Sequence, residues 1–432
     1  MSSNSRHYTL VCPECGSRFA DDGLMLSCAG DHSPAFLRTS YDDRDFTVRD
    51  DIDGLYRYQS WLPVRRTVPG AGGTVTYRSE GLARALGIGE LWIAFNGYWP
   101  ERGATLNTGT FKELEAYTVL GRLPDDPPIL VVPSVGNTAA AFASTCARTG
   151  TRCLLIVPES GLHRLAGLPE PNPHVRVVSI AGGTYDHAIT LAEQVSALPG
   201  FQAVGGAWNV ARRDGLATVL LNAVEAMGRL PRIYVQAIGS AVGAIAVHEA
   251  AKRLIASGGY GATLPRMMLC QNEEFAPVHE LWRIGRGSGT VTERGAAAVY
   301  ADELVNQRPP YRVTGGIADT LDESGGEILL AGRDRARTAA ELFADTEGID
   351  IEPAASVAVA CLAQAAAQGR IPNDAGVLLN ITGGGRARLA AETRRTSFTP
   401  HLRLPVDCLG QADAVARAGE LFTARHTPLQ RV

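Results

Sequence analysis

Residues 129–150, ILVVPSVGNTAAAFASTCARTG, contain the pattern that decides the fold. ILVVP is a short apolar run typical of a buried strand, and TAAAFASTCARTG has the composition of a helix that ends at glycine. The same apolar runs recur along the chain at CLLIVP (153–158), HVRVVSIAG (174–182), RIYVQAIG (232–239), RMMLCQ (266–271) and GVLLNITG (376–383). Helical spacing separates them, as in YDHAITLAEQVSAL and AIAVHEAAKRLIAS. Strands alternating with helices predict an α/β protein with parallel sheets.

Composition limits the function classes. A chain of 432 residues with 45% hydrophobic content can form two or three domains. A net charge of −4 gives no reason to expect a nucleic acid or a membrane surface as partner. The start, MSSNSRHYTLVCPECG, lacks the apolar core of a secretory signal, so we expect a cytoplasmic enzyme. The acidic, helix-like stretches between 291 and 368 are expected at the periphery.

Lys112, in NTGTFKELEA (107–116), is one of only two lysines among 41 basic side chains. A lysine amine can deprotonate and bond to a carbonyl carbon, which a guanidinium cannot do. Lys252, in HEAAKRLIAS, fits a solvated helix face. Lys112 is therefore the candidate catalytic residue, and an ordinary loop lysine is the alternative.

The turn PSVGNTAA (133–140) leads from a strand directly into a helix. Ser134, Gly136, Asn137 and Thr138 place backbone N–H groups and small polar side chains at a helix N-terminus, which suits a carboxylate. The Asn137 amide can also donate to an oxygen of a bound ring. The alternative is a capped helix start without a ligand.

The turn AIGSAVGAIAV (237–247) has a different character. Its small residues can hold a phosphate with backbone donors, and they are Gly239, Ser240, Ala241, Val242 and Gly243. It is neither a Walker loop nor a dinucleotide fingerprint.

The turn ITGGGRARL (381–389) places a hydroxyl at the end of a strand. Thr382 is suited to hydrogen-bond a heteroaromatic nitrogen, and Arg386 and Arg388 are candidate anion ligands, although a solvated face is the more frequent role for arginines. An amine, an amide, a glycine loop and a hydroxyl in this order indicate pyridoxal 5'-phosphate as cofactor.

The N-terminal segment CPECGSRFADDGLMLSC, with the histidine that follows it, suggests a structural zinc site. Cys12, Cys15, Cys28 and His32 can complete a tetrahedron, or the segment is a ribbon that has lost its metal. The other five cysteines are expected to be buried hydrophobes.

The chain resembles the fold-type II pyridoxal-phosphate enzymes (tryptophan synthase β-like), specifically their threonine synthase branch. NTGTFKELEA is similar to the Asn-Pro-Thr-Gly-Ser-Phe-Lys-Asp turn of the family, which makes Lys112 the Schiff-base lysine. SVGNTAA resembles the substrate-carboxylate loop, with Asn137 at the phenolic oxygen. AIGSAVGA matches the phosphate loop, and Thr382 matches the hydroxyl at the pyridine nitrogen.

The resemblance implies a domain organisation. A small N-terminal cysteine-bearing ribbon is expected at 1–50, a large cofactor-binding α/β domain at 51–110 and 215–432, and a smaller α/β domain with the carboxylate loop at 111–214. A homo-oligomer is also expected, because enzymes of this kind commonly form one.

Within the branch, several segments look like those of cysteate synthases, among them LWIAFNGYWPERGATLNTGTFKELEA and QNEEFAPVHELW. This resemblance implies β-replacement on O-phospho-L-serine, in which phosphate leaves and sulfite adds to give L-cysteate. Lys112 would hold the cofactor and move the Cα proton. Arg386 or Arg388, with Thr110 and Ser134, would meet the anions.

Two other functions remain open at this stage. One is a threonine synthase or another β- or γ-replacement enzyme with a different nucleophile or phosphorylated amino acid. The other is a non-catalytic metabolite sensor with a zinc-ribbon module, which predicts no visible cofactor absorbance. A nicotinamide-dependent dehydrogenase fits poorly, because no dinucleotide fingerprint is present.

Overall fold

The structure is a computed structural model that describes residues 6–165, 172–286, 299–307, 309–393 and 399–422. Its strands are β1 (Tyr8–Val11), β2 (Arg18–Phe19), β3 (Arg38–Tyr41), β4 (Val75–Ser79), β5 (Glu90–Phe95), β6 (Tyr98–Trp99), β7 (Ala104–Thr105), β8 (Ile129–Pro133), β9 (Cys153–Pro158), β10 (Val175–Ala181), β11 (Phe201–Ala203), β12 (Ile233–Ala237), β13 (Arg266–Asn272), β14 (Glu327–Ala331), β15 (Gly376–Ile381) and β16 (Leu402–Pro405). Its helices are α1 (Gly81–Leu86), α2 (Lys112–Arg122), α3 (Asn137–Thr149), α4 (Tyr185–Ser196), α5 (Val210–Met227), α6 (Val242–Ser257), α7 (Pro277–Gly285), α8 (Ile317–Ser324), α9 (Arg333–Glu347), α10 (Pro353–Ala367), α11 (Arg386–Glu392) and α12 (Ala412–Glu420). The apolar runs that predicted strands form β8, β9, β10, β12, β13 and β15, and the predicted α/β class is confirmed.

The described residues fall into two compact units. Unit 1 lies within Met1–Pro124 and Gly205–Thr393, and unit 2 lies within Asp125–Val204 and Arg394–Val432. Helix α2 packs against α5 and belongs to unit 1, although the sequence assigned 111–214 to the smaller domain. Strand β16 pairs with β10 in unit 2, although the sequence assigned 215–432 to the large domain. The binding roles given to the two domains stay predictions.

Unit 1 is built on a six-stranded sheet in the order β14-β13-β12-β15-β5-β4. Its strands run parallel except β4, which is antiparallel to β5. Every residue of β12 and β15 is buried, because helices cover both faces. Helix α10 lies in the core of this unit. Its sequence, PAASVAVACLAQAAA, contains no charged residue that could face water.

Unit 2 contains a five-stranded parallel sheet in the order β11-β8-β9-β10-β16. Its core is formed by apolar residues of the sheet and of α4 and α12. Strand β16 therefore returns from a distant part of the sequence to pair with β10.

The N-terminal segment of unit 1 forms the small antiparallel sheet β2-β1-β3, which is the predicted ribbon. A buried ion pair ties it to α2. The Arg122 guanidinium donates to both oxygens of Asp21 at 2.7 and 2.9 Å, to Asn209 at 2.9 Å and to the Met25 carbonyl at 2.7 Å. Burial alone would raise the pKa of Asp21, but the hydrogen bonds and charge of Arg122 hold it below its usual value.

Candidate active site

Two of the candidate turns lie at one edge of the unit 1 sheet. Strand β12 leads into the glycine loop at 238–241, and the neighbouring parallel strand β15 leads into Thr382. Parallel strands end at the same edge, so the glycine loop and Thr382 share the carboxyl side of the sheet. Thr382 is almost fully buried there.

The loop before Lys112 is fastened to the same edge. The Phe111 backbone N–H donates to the Thr382 carbonyl at 2.9 Å, and Thr110 pairs with Gly383. The buried Glu113 carboxylate accepts a hydrogen bond from the Thr108 hydroxyl at 2.8 Å, which fixes the turn from within. Lys112 is the first residue of α2, so the structure brings it beside Thr382.

The Lys112 amine has charged neighbours that the sequence did not reveal. Its Nζ lies 3.6 Å from a Glu115 oxygen, and Glu115 is paired with Arg212 at 2.6 Å. Burial lowers the pKa of Lys112, the charge of Glu115 raises it, and that of Arg212 lowers it, with a net decrease. The amine therefore loses its proton more readily than an exposed lysine does. No motif pointed to Glu115 or Arg212, because both look like ordinary helix-surface charges.

The glycine loop has the geometry of an anion site. Ala241, with φ 56°, is the only non-glycine residue with a positive φ in the part of the chain that the structure describes. Gly239 and Ser240 in this loop are half-buried, and the 16-residue helix α6 begins at Val242. A Cβ on Gly243 would lie 3.1 Å from Phe111 Cε2, so glycine allows the helix to approach the Lys112 loop. Backbone N–H groups here suit a phosphate.

The carboxylate-loop candidate lies in unit 2. The Ser134 hydroxyl accepts hydrogen bonds from the backbone N–H groups of Gly136 and Ala139, both at 3.0 Å, and so shapes the turn into α3. Asn137 and Thr138 are the first residues of that helix. Arg164, which the sequence did not single out, donates to the Val135 carbonyl at 3.1 Å. It adds a cation beside the turn, and no sequence signal distinguishes it from other arginines.

The two candidate arginines have different surroundings. Arg386 donates to the buried Glu352 at 3.0 Å, and Glu352 also accepts from Thr382. Arg388 is ion-paired with Glu101 and Glu392 at the surface. Arg386 is thus part of the cluster around Thr382, whereas Arg388 is not. Glu352 was missed, since a glutamate before a proline resembles any helix start.

The four metal-ligand candidates come together in the ribbon. The ligand atoms of Cys12, Cys15, Cys28 and His32 all lie within 4.8 Å of one another, and the Cys15 and Cys28 sulfurs are 3.8 Å apart. Ligands 2.3 Å from a tetrahedral centre are separated by about 3.8 Å, so this spacing fits zinc. His32 Nδ1 lies 2.7 Å from the Ser33 carbonyl oxygen, which leaves Nε2 for a metal.

We expect the purified protein to contain one equivalent of zinc. Changing Cys15 or Cys28 to serine should remove the metal and lower the Tm, because a structural zinc contributes directly to folding. Metal analysis and thermal unfolding measure this, and Cys408→Ser is the matched control. Zinc retained in both ribbon variants would contradict the assignment.

The described residues include no helix long and apolar enough to cross a membrane. A family model described as "Pyridoxal-phosphate dependent enzyme" matches residues 68–383. The cysteate synthase of Methanoculleus marisnigri is 43% identical over 422 residues, which cover 96% of this chain and 94% of that protein. The cysteate synthase of Methanosphaerula palustris is 46% identical over 409 residues, which cover 93% of this chain and 95% of that protein.

Solved structures with low sequence identity share the fold. A fungal L-serine ammonia-lyase from Rhizomucor miehei superposes with a TM-score of 0.58 at 14% identity, covering 74% of this chain and 96% of that chain. Serine racemase from Dictyostelium discoideum superposes with a TM-score of 0.56 at 16% identity, covering 72% of this chain and 92% of that chain. The fold is therefore that of the fold-type II enzymes, as the sequence predicted. The family match and the near-complete coverage of the relatives together show that the chain belongs to the pyridoxal-phosphate dependent enzymes and, within them, to the cysteate synthase family.

Proposed function

We propose that the protein converts O-phospho-L-serine and sulfite into L-cysteate and phosphate. In this β-replacement the Cβ–O bond to phosphate breaks and a Cβ–S bond to sulfite forms. The observation that carries the proposal is the similarity to cysteate synthases, 43–46% identity over more than nine-tenths of the chain in two relatives. The cluster of Lys112, the glycine loop and Thr382 supports it.

The residues of unit 1 fit pyridoxal 5'-phosphate. Lys112 supplies a partly buried amine for covalent attachment, and the loop from Gly239 to Gly243 offers backbone donors for the phosphate. Thr382 offers a buried oxygen for the ring nitrogen. The left-handed backbone at Ala241 is an independent argument for the phosphate site, because strained backbone conformations are found mainly at functional sites. When bound, the cofactor withdraws electrons from the Cα of the amino acid.

Lys112 acts as the general base in this proposal. Its amine takes the proton from Cα before phosphate leaves and returns a proton to Cα after sulfite has added. Burial, which lowers the pKa of the amine, increases the neutral fraction that can accept this proton. Glu113 holds the preceding turn, so that the amine is presented from a fixed position.

The leaving group, phosphate, and the nucleophile, sulfite, are both compact oxyanions. We therefore propose that the same cationic and hydroxyl groups bind first one and then the other. Arg386, Thr110, Ser134, Asn137 and Thr138 are the proposed ligands. Arg388 stays a candidate from the sequence, although it has less support because it is paired with Glu101 and Glu392 at the surface, outside the cluster around Thr382.

Arg386→Ala should raise the sulfite KM about tenfold or more, because a lost hydrogen bond to a charged group weakens binding by roughly 1.5–3 kcal/mol. Arg388→Ala should have a smaller effect, since Arg388 lies at the surface, outside the cluster around Thr382. Initial rates at varied sulfite measure both, and Arg335→Ala, another surface arginine in an ion pair, is the control. An unchanged KM in the Arg386 variant would remove it from this role.

A product assay tests the function itself. The purified protein is incubated with O-phospho-L-serine or O-phospho-L-homoserine, each with and without sulfite, and amino acids and phosphate are measured. Cysteate formed only from phosphoserine plus sulfite supports the proposal. Threonine from phosphohomoserine would instead favour a threonine synthase. The cytoplasmic location and the homo-oligomer stay predictions.

A further inference from the structure

We propose that Glu115 is a positioning residue that receives the Lys112 amine when the amine has taken up a proton, and that Arg212 holds Glu115 in place for this contact. The inference rests on the proposed function, in which Lys112 moves the Cα proton. It names the group that stabilises the proton while Lys112 carries it.

Lys112 and Glu115 are neighbours on one face of α2. Residues three positions apart on a helix lie one above the other, and Lys112 Nζ is 3.6 Å from Glu115 Oε2. The Glu115 side chain is fully buried, whereas that of Lys112 is 19% exposed. A buried carboxylate stabilises an adjacent ammonium more strongly than an exposed one does, because less water screens the two charges. Glu115 is therefore well placed to bind Lys112 in its protonated form.

Arg212 fixes the Glu115 carboxylate from the neighbouring helix α5. Its Nη2 lies 2.6 Å from Glu115 Oε1, so the two carboxylate oxygens face different cations. Gly215 allows α5 to come this close to α2, because a Cβ there would lie 2.5 Å from the Leu114 carbonyl oxygen. The start of α5 is anchored as well, since the Asn209 side chain caps it. Glu115 is thus held at one position by a partner other than Lys112.

The influences on the Lys112 amine oppose one another. Burial lowers its pKa most strongly and Arg212 lowers it further, whereas Glu115 on its own helix and Glu352 before α10 raise it. The Phe111 ring, whose centroid lies 4.9 Å from Nζ, also favours a cation. The amine can therefore be neutral before it acts and still have a counter-charge after it accepts a proton. A base that must later return the proton needs both properties.

The contact matters at the step in which charge appears on Lys112. The Cα–H bond of the amino acid breaks and an N–H bond on Lys112 forms, so the side chain gains one positive charge. Glu115 is already in place and stabilises this charge without rearrangement, which is how a preorganised group lowers a barrier. When the proton returns to Cα the charge disappears, and Arg212 remains as the partner of Glu115.

Competitive acetylation of the two lysines tests the contact directly. The full-length chain is freed of cofactor with hydroxylamine and labelled with trace acetic anhydride over a pH series, and mass spectrometry compares Lys112 with Lys252. Glu115→Gln should move the midpoint of the Lys112 curve to lower pH by at least about one unit, because a nearby opposite charge favours the charged form. Arg212→Met should move it to higher pH, whereas Arg212→Lys, which keeps the charge, should stay near wild type. Lost packing alone would not move the two midpoints in opposite directions.

Turnover of the holoenzyme gives a second readout. With O-phospho-L-serine and sulfite, kcat of Glu115→Gln should fall about tenfold or more, because proton transfer loses electrostatic stabilisation, while KM for the amino acid changes less than about threefold. The acid limb of the kcat profile should move to lower pH, in the same direction as the labelling curve. Glu249→Gln, which removes another buried glutamate paired with an arginine of α5, should leave both readouts near wild type.

An unchanged Lys112 midpoint, or an unchanged kcat, in a folded Glu115→Gln overturns the inference. If that variant does not fold, Arg212→Met decides, since a midpoint that stays or falls removes the pair from this role. Labelling needs neither cofactor nor substrate. The predicted shifts in a protein that makes no cysteate would therefore support the contact and overturn the proposed function, whereas cysteate formation with unshifted midpoints would overturn this inference alone.

Discussion

Changing Lys112 to alanine should abolish β-replacement and the visible absorbance of the purified protein. The amine is needed twice, to attach the cofactor covalently and to move the Cα proton. Loss of a general base alone lowers rates by roughly 10²–10⁴-fold, so we expect the combined loss to be at least that large. The measurements are an absorption spectrum, turnover, and borohydride trapping followed by peptide mapping of the labelled residue.

The chain supplies an unusually clean control, because Lys252 is the only other lysine. It lies on α6, paired with Glu323, and its side chain is 37% exposed. Lys252→Ala should keep both the spectrum and the activity. Lys112→Arg keeps a cation beside Glu115 but cannot attach a carbonyl, so it separates chemistry from charge. A label that maps to residue 252, or activity that survives in Lys112→Arg, would refute the assignment.

Changing Arg122 to methionine should lower the free energy of unfolding by about 2–4 kcal/mol, because the buried Asp21 loses both hydrogen bonds from the guanidinium and keeps Arg6 as its remaining cationic partner. Methionine preserves much of the stem, so the cost comes from the lost guanidinium rather than from a cavity. Chemical denaturation followed by circular dichroism measures the effect. In the double variant with Asp21→Asn, most of the loss should be recovered.

The pH dependence has a definite sign. The pKa of Asp21 is depressed in the folded state, so its stabilisation is present above the unfolded value of about 3.9 and is lost as pH falls through the folded value. The difference in the free energy of unfolding between wild type and Arg122→Met should therefore become smaller in acid. Arg229→Met, which breaks the exposed pair with Glu90, should cost less than about 1 kcal/mol. Equal losses in the two variants would mean that burial at Arg122 has no special weight.

The sequence could predict those parts of the protein that depend on local pattern. Continuous apolar runs become β8 and β9 because buried parallel strands need no polar face. The turns after β12 and β15 could also be predicted as candidate ligand-binding turns, since glycine and small polar residues followed a strand in each case, whereas the pairing of these two strands could not be predicted.

Features that depend on long-range pairing could not be predicted. Glu352 lies thirty positions before Thr382 in the sequence, and nothing in its local sequence differs from a solvated glutamate. Helix α10 was not assigned a position from the sequence, and its uncharged surface packs into the core. Glu115, whose carboxylate lies 3.6 Å from the Lys112 amine, could not be recognised either, because helical periodicity does not say which charges become buried.

The pairing of β16 with β10 has a consequence for biosynthesis. Ala181 and Pro405 are register partners, and about 220 residues separate the two strands along the chain. At roughly 5–20 residues per second a ribosome needs about 10–40 s to make that stretch. Throughout this interval β10 is an exposed edge strand of the nascent sheet. Its unpaired backbone groups can then pair with another chain. Slow translation or truncation before residue 402 should therefore favour aggregation. A chaperone that binds the exposed β10 edge should reduce it.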